Sequence, residues 1–361
     1  MQHETWSWLS LSLLFVPPTE GGGMEIIMQN IINGLPIAAV ILLLAVGFAF
    51  LVKGADFFVE GSSSIAKKLK VPPIIIGLTI VAMGTSLPET AVSVTASLVQ
   101  NNELAVSNVV GSNIFNLMFV IGVCSILTPI MVQKATVVRD IPLSLGCALF
   151  LLVLGVSGLG DKAGMTLGHA DGVIFLIVFA GYIFTMVRSA MKARAAGQKV
   201  EIEGVEECDN MKELSYGKSI LFLIVGAAAI AFGGDLTVDT ASRIAIELGM
   251  SQTLVGLTIV SIGTSLPELV TSVVAARKNE VDMAVGNAVG SNIFNILMVL
   301  GISSAISPVA LIRENIIDIV LLMVFSVMVW IFAGTRKKIE RKEGIIMVVV
   351  YLVYCAYIIA R

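Results

Sequence analysis

Two short phrases, each present twice, hold the residues in this chain that could do chemistry. Gly84–Glu89 reads GTSLPE and so does Gly263–Glu268; Gly111–Asn116 reads GSNIFN and so does Gly290–Asn295. The offset is 179 residues for both. Each copy sets a carboxylate, hydroxyls, an amide and helix-breaking Gly and Pro inside strongly apolar sequence. Pro88 has no N–H to give a helix, and its ring clashes with the carbonyl of Gly84, four residues back. The helix should kink there and loosen carbonyls around Ala82 and Gly84. Thr85 and Ser86 add hydroxyl oxygens beside the break, and Glu89 lies one turn beyond Thr85. The second copy offers Thr264, Ser265, Pro267 and Glu268, with Ser261 where the first has Ala82. In GSNIFN, Ser112 and Asn116 stand four apart and share a helix face, as do Ser291 and Asn295.

Placed face to face, the copies supply two carboxylates, several hydroxyls, two amides and free carbonyls. Neither thiolate nor imidazole is among them. Such a set suits hard cations: Ca²⁺, which takes about 6–8 oxygens in flexible geometry, and also Na⁺. Without a cation the two glutamates would repel each other, so protons should compete with metal ions for them. A lone Ser or Thr in an apolar helix usually just bonds back to its own backbone. A mid-span Glu is different, because an ionisable group inside a membrane marks function by default. Asn113 and Asn292 are expected to hydrogen-bond within the helix breaks rather than to ligate. Asp56, Glu60, Asp235 and Asp239 lie near span ends and read better as solvated helix-end charges than as lining of an ion path.

The elements that must position these residues are membrane helices. Of 361 residues 57% are hydrophobic and 14% charged, against about a quarter charged in a soluble protein. Continuous apolar runs exclude the alternating pattern of an outer-membrane barrel. A net charge of −3 gives no reason to expect nucleic acid as a partner. Cys124, Cys147, Cys208 and Cys355 show no metal-ligand spacing, and His3 and His169 lie outside the apolar runs. Ten spans are expected, near 34–58, 73–99, 104–127, 137–157, 171–188, 218–240, 252–276, 282–306, 312–334 and 343–360. The second and seventh should be interrupted at Gly and Pro, the third and eighth at GSN. Residues 1–30 read as an N-terminal extension.

Lys and Arg set the orientation. With the first span entering from outside, the inner loops hold 18 of the 23 Lys and Arg residues and the outer segments 4. Lys53, in the first span, is the remaining one. Both termini are then external, and residues 189–217 form a charged cytoplasmic linker. The linker divides the chain into a first repeat, 31–188, and a second, 218–361. Residues 77–127 align with 256–306 without a gap, and 27 of the 51 positions are identical. Five spans per repeat is an odd number, so the second copy lies upside down relative to the first. The fold class is therefore an all-α membrane protein of ten transmembrane helices in two inverted five-helix repeats, with its site where the repeats meet.

At GTSLPE and GSNIFN the chain resembles the sodium/calcium exchangers of the cation/calcium exchanger superfamily, minimal prokaryotic type. The resemblance covers nearly everything from about residue 31 to 360. It implies broken second, third, seventh and eighth helices at the centre. It further implies that Glu89 and Glu268 are the central Ca²⁺ ligands, joined by backbone carbonyls of Thr85 and Thr264. One flanking Na⁺ site would be made by Ala82, Ser86, Ser112 and Glu268, the other by Ser261, Ser265, Ser291 and Glu89. Asn116 and Asn295 would line the middle. Some relatives have Asp where Asn295 stands, and Asn leans against K⁺ dependence.

The expected activity is antiport. Na⁺ entering down its gradient drives Ca²⁺ out of a cell, across the cell membrane or the inner membrane. The partners are the two ions and the lipid bilayer, with no cofactor and no obligatory protein partner. Ca²⁺/H⁺ exchange on the same fold is the nearest alternative, and a cation channel a more distant one. An intramembrane enzyme would need a base beside Ser86 or Ser265, and the sequence places no His or Lys there.

Overall fold

Glycines spaced seven apart decide how the two longest helices meet. The structure, a computed structural model, describes residues 31–98, 102–157, 165–195, 214–250, 259 and 261–360. The expected extension 1–30, most of the linker 189–217 and the side chain of Ser261 lie outside the described residues. Helix α1 is Ile37–Leu69 and helix α7 is Tyr216–Glu247. A Cβ added at Gly47 would sit 2.7 Å from Thr237 Oγ1 and 3.2 Å from the Gly233 carbonyl. At Gly54 it would lie 3.0 Å from the Gly226 carbonyl, and at Gly61 2.8 Å from that of Ser219. As numbers rise by seven along α1 they fall by seven along α7, so the pair is antiparallel with backbones in direct contact. Small residues permit this approach, which dispersion then stabilises in lipid.

Both helices outrun the expected spans. At helical rise 33 residues reach about 50 Å, against a hydrocarbon core of roughly 30 Å. The extra turns of α1 are polar and small, and they stay helical because α7 continues beside them. Ser219 Oγ donates to Ser64 Oγ at 2.9 Å, and the Leu214 N–H donates to the same hydroxyl at 3.2 Å. The helix stops at Lys70, whose backbone turns left-handed (φ 55°), just before Pro72 and Pro73.

The other long helices are α2 (Pro73–Thr85), α3 (Leu87–Leu98), α4 (Ala105–Leu127), α5 (Thr136–Ser157), α6 (His169–Lys192), α9 (Val281–Ile306), α10 (Arg313–Arg336) and α11 (Arg341–Ala360); α8 is Leu266–Arg277. Among the described residues eight helices are long and apolar enough to cross a membrane, and α2 with α3 forms one further bent span. Helices α4 and α9 are the centre: 78% of each apolar window is buried, against 22–39% for the other long helices. Their apolar neighbours turn Ile, Leu, Val and Phe side chains outward, as lipid-facing surfaces require. Cys124 and Cys147 are free and buried in this packing.

Two small antiparallel ladders tie the halves together. Strand β1 (Ile130–Met131) pairs with β4 (Lys338–Ile339), and β2 (Thr166–Leu167) pairs with β3 (Val309–Ala310). Ile130 and Val309 stand 179 positions apart, so the equivalent strands of the two halves each pair with a strand of the other half.

The expected interruption at GTSLPE is present. Helix α2 ends at Thr85, α3 starts at Leu87, and the two are bent by 49°. At the second copy the helix breaks at Thr264–Ser265 before α8 begins. The expected interruption at GSN is not found. Helix α4 runs through Gly111–Asn113, and α9 through Gly290–Asn292. The departure comes immediately after, as π-helical turns at Phe115–Val120 and Asn295–Val299. Gly weakens a helix without forbidding it, and Asn113 and Asn292 find partners outside their own helices, described below. The backbone therefore keeps its ladder through GSN and widens only one turn later.

Candidate ion-binding site

Each GTS serine reaches the glutamate of the other repeat. Ser86 Oγ donates to Glu268 Oε1 at 2.9 Å, and Ser265 Oγ donates to Glu89 Oε1 at 3.0 Å. The breaks make this crossing possible. Ser86 (φ −85°, ψ 12°) and Ser265 (φ −94°, ψ 5°) leave the helical track just where α3 and α8 start. Glu89 and Glu268 sit in the first turns of those helices, where the positive end of the helix dipole favours a carboxylate. Both are fully buried. Among the described residues no Lys or Arg forms an ion pair with either one.

A second crossed pair of bonds braces the carboxylates from behind. Asn287 Nδ2 donates to Ser272 Oγ at 3.0 Å and to the Glu268 carbonyl at 3.4 Å, while its Oδ1 accepts from Thr85 Oγ1 at 3.0 Å. Asn108 mirrors it on Ser93 Oγ at 3.0 Å, the Glu89 carbonyl at 3.4 Å and Thr264 Oγ1 at 3.5 Å. Sequence reasoning missed Asn108, Asn287, Ser93 and Ser272. The signal was available, since both pairs are identical at the 179-residue offset and fall in the gap-free stretch.

The remaining predicted residues are placed as follows. Thr85 is buried and Thr264 half-buried at the two breaks. Ser291 Oγ donates to Glu268 Oε1 at 3.3 Å. The resemblance grouped Ser291 with Glu89; the structure puts its hydroxyl on the glutamate of its own repeat, because α9 packs directly against α8. The Ala82 carbonyl accepts the Ser86 N–H at 3.0 Å and lies 3.4 Å from the Thr85 hydroxyl. Gly84 O and Gly263 O lose their usual helical donors to Pro88 and Pro267. Asn113 and Asn292 do not bond within their own helices; each amide donates to the backbone of the other, at 3.1 and 3.0 Å.

Among the predicted site residues whose side chains are described, five oxygen atoms are left over. Glu89 Oε2, Glu268 Oε2, Asn116 Oδ1, Asn295 Oδ1 and Ser112 Oγ are buried and accept or donate no hydrogen bond. A buried polar atom without a partner costs about 1–3 kcal/mol, more if charged. Two such carboxylates with no cationic side chain are expensive unless a cation completes them. Among the described residues no three His, Cys, Asp or Glu side chains converge, so soft-metal chemistry has no ligand set here. The atoms on offer are carboxylate, amide, hydroxyl and carbonyl oxygens.

The reading of Asp56, Glu60, Asp235 and Asp239 as helix-end charges is not met: α1 and α7 run on past the expected spans and keep all four well inside a helix. Asp56 pairs with Lys278 at 3.3 Å and Lys53 at 3.6 Å and is partly exposed. Glu280, in the turn before α9, is buried near the chain surface. Burial raises its pKa, opposed chiefly by the Lys67 charge.

Fold and site together define a class: a multi-span helical membrane protein with two buried carboxylates, among oxygen-bearing side chains, that no described Lys or Arg neutralises. Residues 39–188 and 218–360 match the sodium/calcium exchanger protein family, and the chain belongs to it. Its relatives include the sodium/calcium exchanger MaX1 of Methanosarcina acetivorans, 33% identical over 87% of this chain and 96% of that protein. The inner membrane protein YrbG of Escherichia coli is 35% identical over 80% of this chain and 88% of its own. Among solved structures, the sodium-calcium exchanger NCX_Mj superposes with a TM-score of 0.74 at 30% identity, covering 90% of this chain and all of that one. The chain is thus a multi-pass membrane protein of the cation antiporter kind.

Proposed function

We propose that this protein exchanges Na⁺ for Ca²⁺ across the membrane and that the inward Na⁺ gradient drives Ca²⁺ out. One observation carries the reading. Two buried carboxylates, each bonded by the opposite repeat's serine, present free oxygens beside two amide oxygens with no cationic side chain to neutralise them. Glu89 and Glu268 hold Ca²⁺ together with carbonyls of Thr85 and Thr264. Na⁺ competes for the same carboxylates with help from Ser86, Ser112 and Ala82 on one side and Ser261, Ser265 and Ser291 on the other; Asn116 and Asn295 complete the middle. The mechanism involves no covalent chemistry and no cofactor, so both ions are substrates.

The architecture in this reading is ten helices in two inverted five-helix repeats with both termini outside the cell. Helices α1 and α7 move as one body. Their packing on the breaks supports this: a Cβ at Gly84 would lie 2.7 Å from Phe58 of α1, and Pro267 lies against Gly234 of α7. Sliding that pair past the core would uncover the site first to one side and then to the other, and only a loaded site makes the crossing.

The deciding experiment is ⁴⁵Ca²⁺ uptake into proteoliposomes under imposed Na⁺, K⁺ or H⁺ gradients. Uptake driven by an outward Na⁺ gradient alone is the expected result. Uptake driven only by a pH gradient would replace the proposal with Ca²⁺/H⁺ exchange on the same carboxylates, and uncoupled, unsaturable flux would make the protein a channel.

A further inference from the structure

Four asparagines are joined in one hydrogen-bonded chain, Asn295–Asn113–Asn292–Asn116, where α4 meets α9. Asn113 Nδ2 donates to the Asn292 carbonyl at 3.1 Å, and Asn292 Nδ2 donates to the Asn113 carbonyl at 3.0 Å. The oxygens of these two amides then face the other pair. Asn113 Oδ1 accepts from Asn295 Nδ2 at 3.2 Å, and Asn292 Oδ1 accepts from Asn116 Nδ2 at 3.2 Å. All four side chains are buried. The Oδ1 atoms of Asn116 and Asn295 are left without a hydrogen bond.

A primary amide is nearly symmetric in shape and opposite in chemistry at its two ends. Its oxygen can ligate a cation, whereas its NH₂ group turned the same way would repel one. Which end faces a site is set by what the other end bonds. Here the backbone carbonyls fix the amides of Asn113 and Asn292, because only nitrogen can donate to them. Their oxygens then accept only the nitrogens of Asn295 and Asn116. Reversing any one amide would set oxygen against oxygen or nitrogen against nitrogen. We infer that Asn113 and Asn292 are positioning residues that aim the carboxamide oxygens of Asn295 and Asn116, respectively, at the transported cation. The control is crossed, each repeat setting the ligand orientation of the other. The inference rests on reading this cluster as the ion site of the exchanger.

The test is a double-mutant cycle on the full-length protein, read as half-saturating Ca²⁺ in Na⁺-free binding and as Na⁺-driven ⁴⁵Ca²⁺ uptake. Asn113→Leu keeps the branching and removes both polar ends. It should raise half-saturating Ca²⁺ about tenfold, the consequence of freeing one buried amide to turn its nitrogen inward. The maximal uptake rate should change far less. Combined with Asn295→Ala, Asn113→Leu should add less than about twofold, because the ligand it aims is gone. Combined with Asn116→Ala, it should still add its full effect. Equal cost of Asn113→Leu in all three backgrounds would reduce Asn113 to a packing residue and overturn the inference, as would an unchanged affinity in the single variant. If Asn113→Leu does not fold, the mirror cycle of Asn292→Leu with Asn116→Ala reads the same coupling. A wild type that binds Ca²⁺ but ignores the Na⁺ gradient would overturn the proposed exchange while leaving the amide coupling measurable. A wild type that binds no Ca²⁺ overturns both.

Discussion

The two glutamates are where single atoms matter most. Glu→Gln keeps the volume and one oxygen of each side chain but removes the charge that a divalent ion needs. Either Glu89→Gln or Glu268→Gln should abolish Na⁺-driven ⁴⁵Ca²⁺ flux in vesicles; normal flux in either would remove that residue from the site. Ser86→Ala and Ser265→Ala each delete one charge-assisted hydrogen bond, about 1.5–3 kcal/mol in a dry site. Each should raise half-saturating Na⁺ roughly tenfold or more while the protein stays folded, checked by Na⁺ titration of uptake. The glutamates and serines were legible in the sequence because a buried charge is conspicuous in apolar surroundings and a duplicated one more so. The partners were not. Whether Ser291 leans on Glu89 or Glu268 depends on how α9 packs, and no spacing encodes that. Asn113 looked like a local helix residue because its partner, Asn292, lies 179 positions away.

At the scale of elements, backbone contact between α1 and α7 is what would let them act as one body in the proposed exchange cycle. Gly54→Leu would push a branched side chain into Ile230 N and the Gly226 carbonyl, both about 3 Å from where its Cβ must sit. Overpacking of this kind costs about 1–3 kcal/mol or more, and separation of the pair should follow. The expected result is a lower thermal midpoint in detergent and a slower maximal uptake rate with little change in half-saturating Ca²⁺, since no ligand moves. An unchanged rate would show that the pair need not move together. Hydropathy located these helices well, yet it ended α1 and α7 too early. Small polar residues such as Ser62–Ser64 look like a loop to a hydropathy window. The stretch remains helical because α7 continues beside it, with Ser219 and Leu214 bonded to Ser64. The same limit explains GSN: Gly and Asn are read as breakers, and only the opposing helix shows that Asn113 and Asn292 are satisfied from outside.

For the whole molecule, the charge carried by the site decides how the membrane potential acts. Two carboxylates balance one Ca²⁺, so the Ca²⁺-loaded site is close to neutral. Loaded instead with more than two Na⁺, it carries net positive charge across. Each net charge moved through 100 mV is worth about 2.3 kcal/mol, close to a fiftyfold shift in the equilibrium Ca²⁺ ratio. In proteoliposomes clamped with a K⁺ gradient and ionophore, an inside-positive potential should therefore accelerate Ca²⁺ uptake driven by outward Na⁺ movement. An inside-negative potential should slow it. The Ca²⁺ ratio at steady state, plotted against imposed potential, gives the net charge per cycle directly. A ratio that ignores the potential would mean two Na⁺ per Ca²⁺ and an electroneutral exchanger.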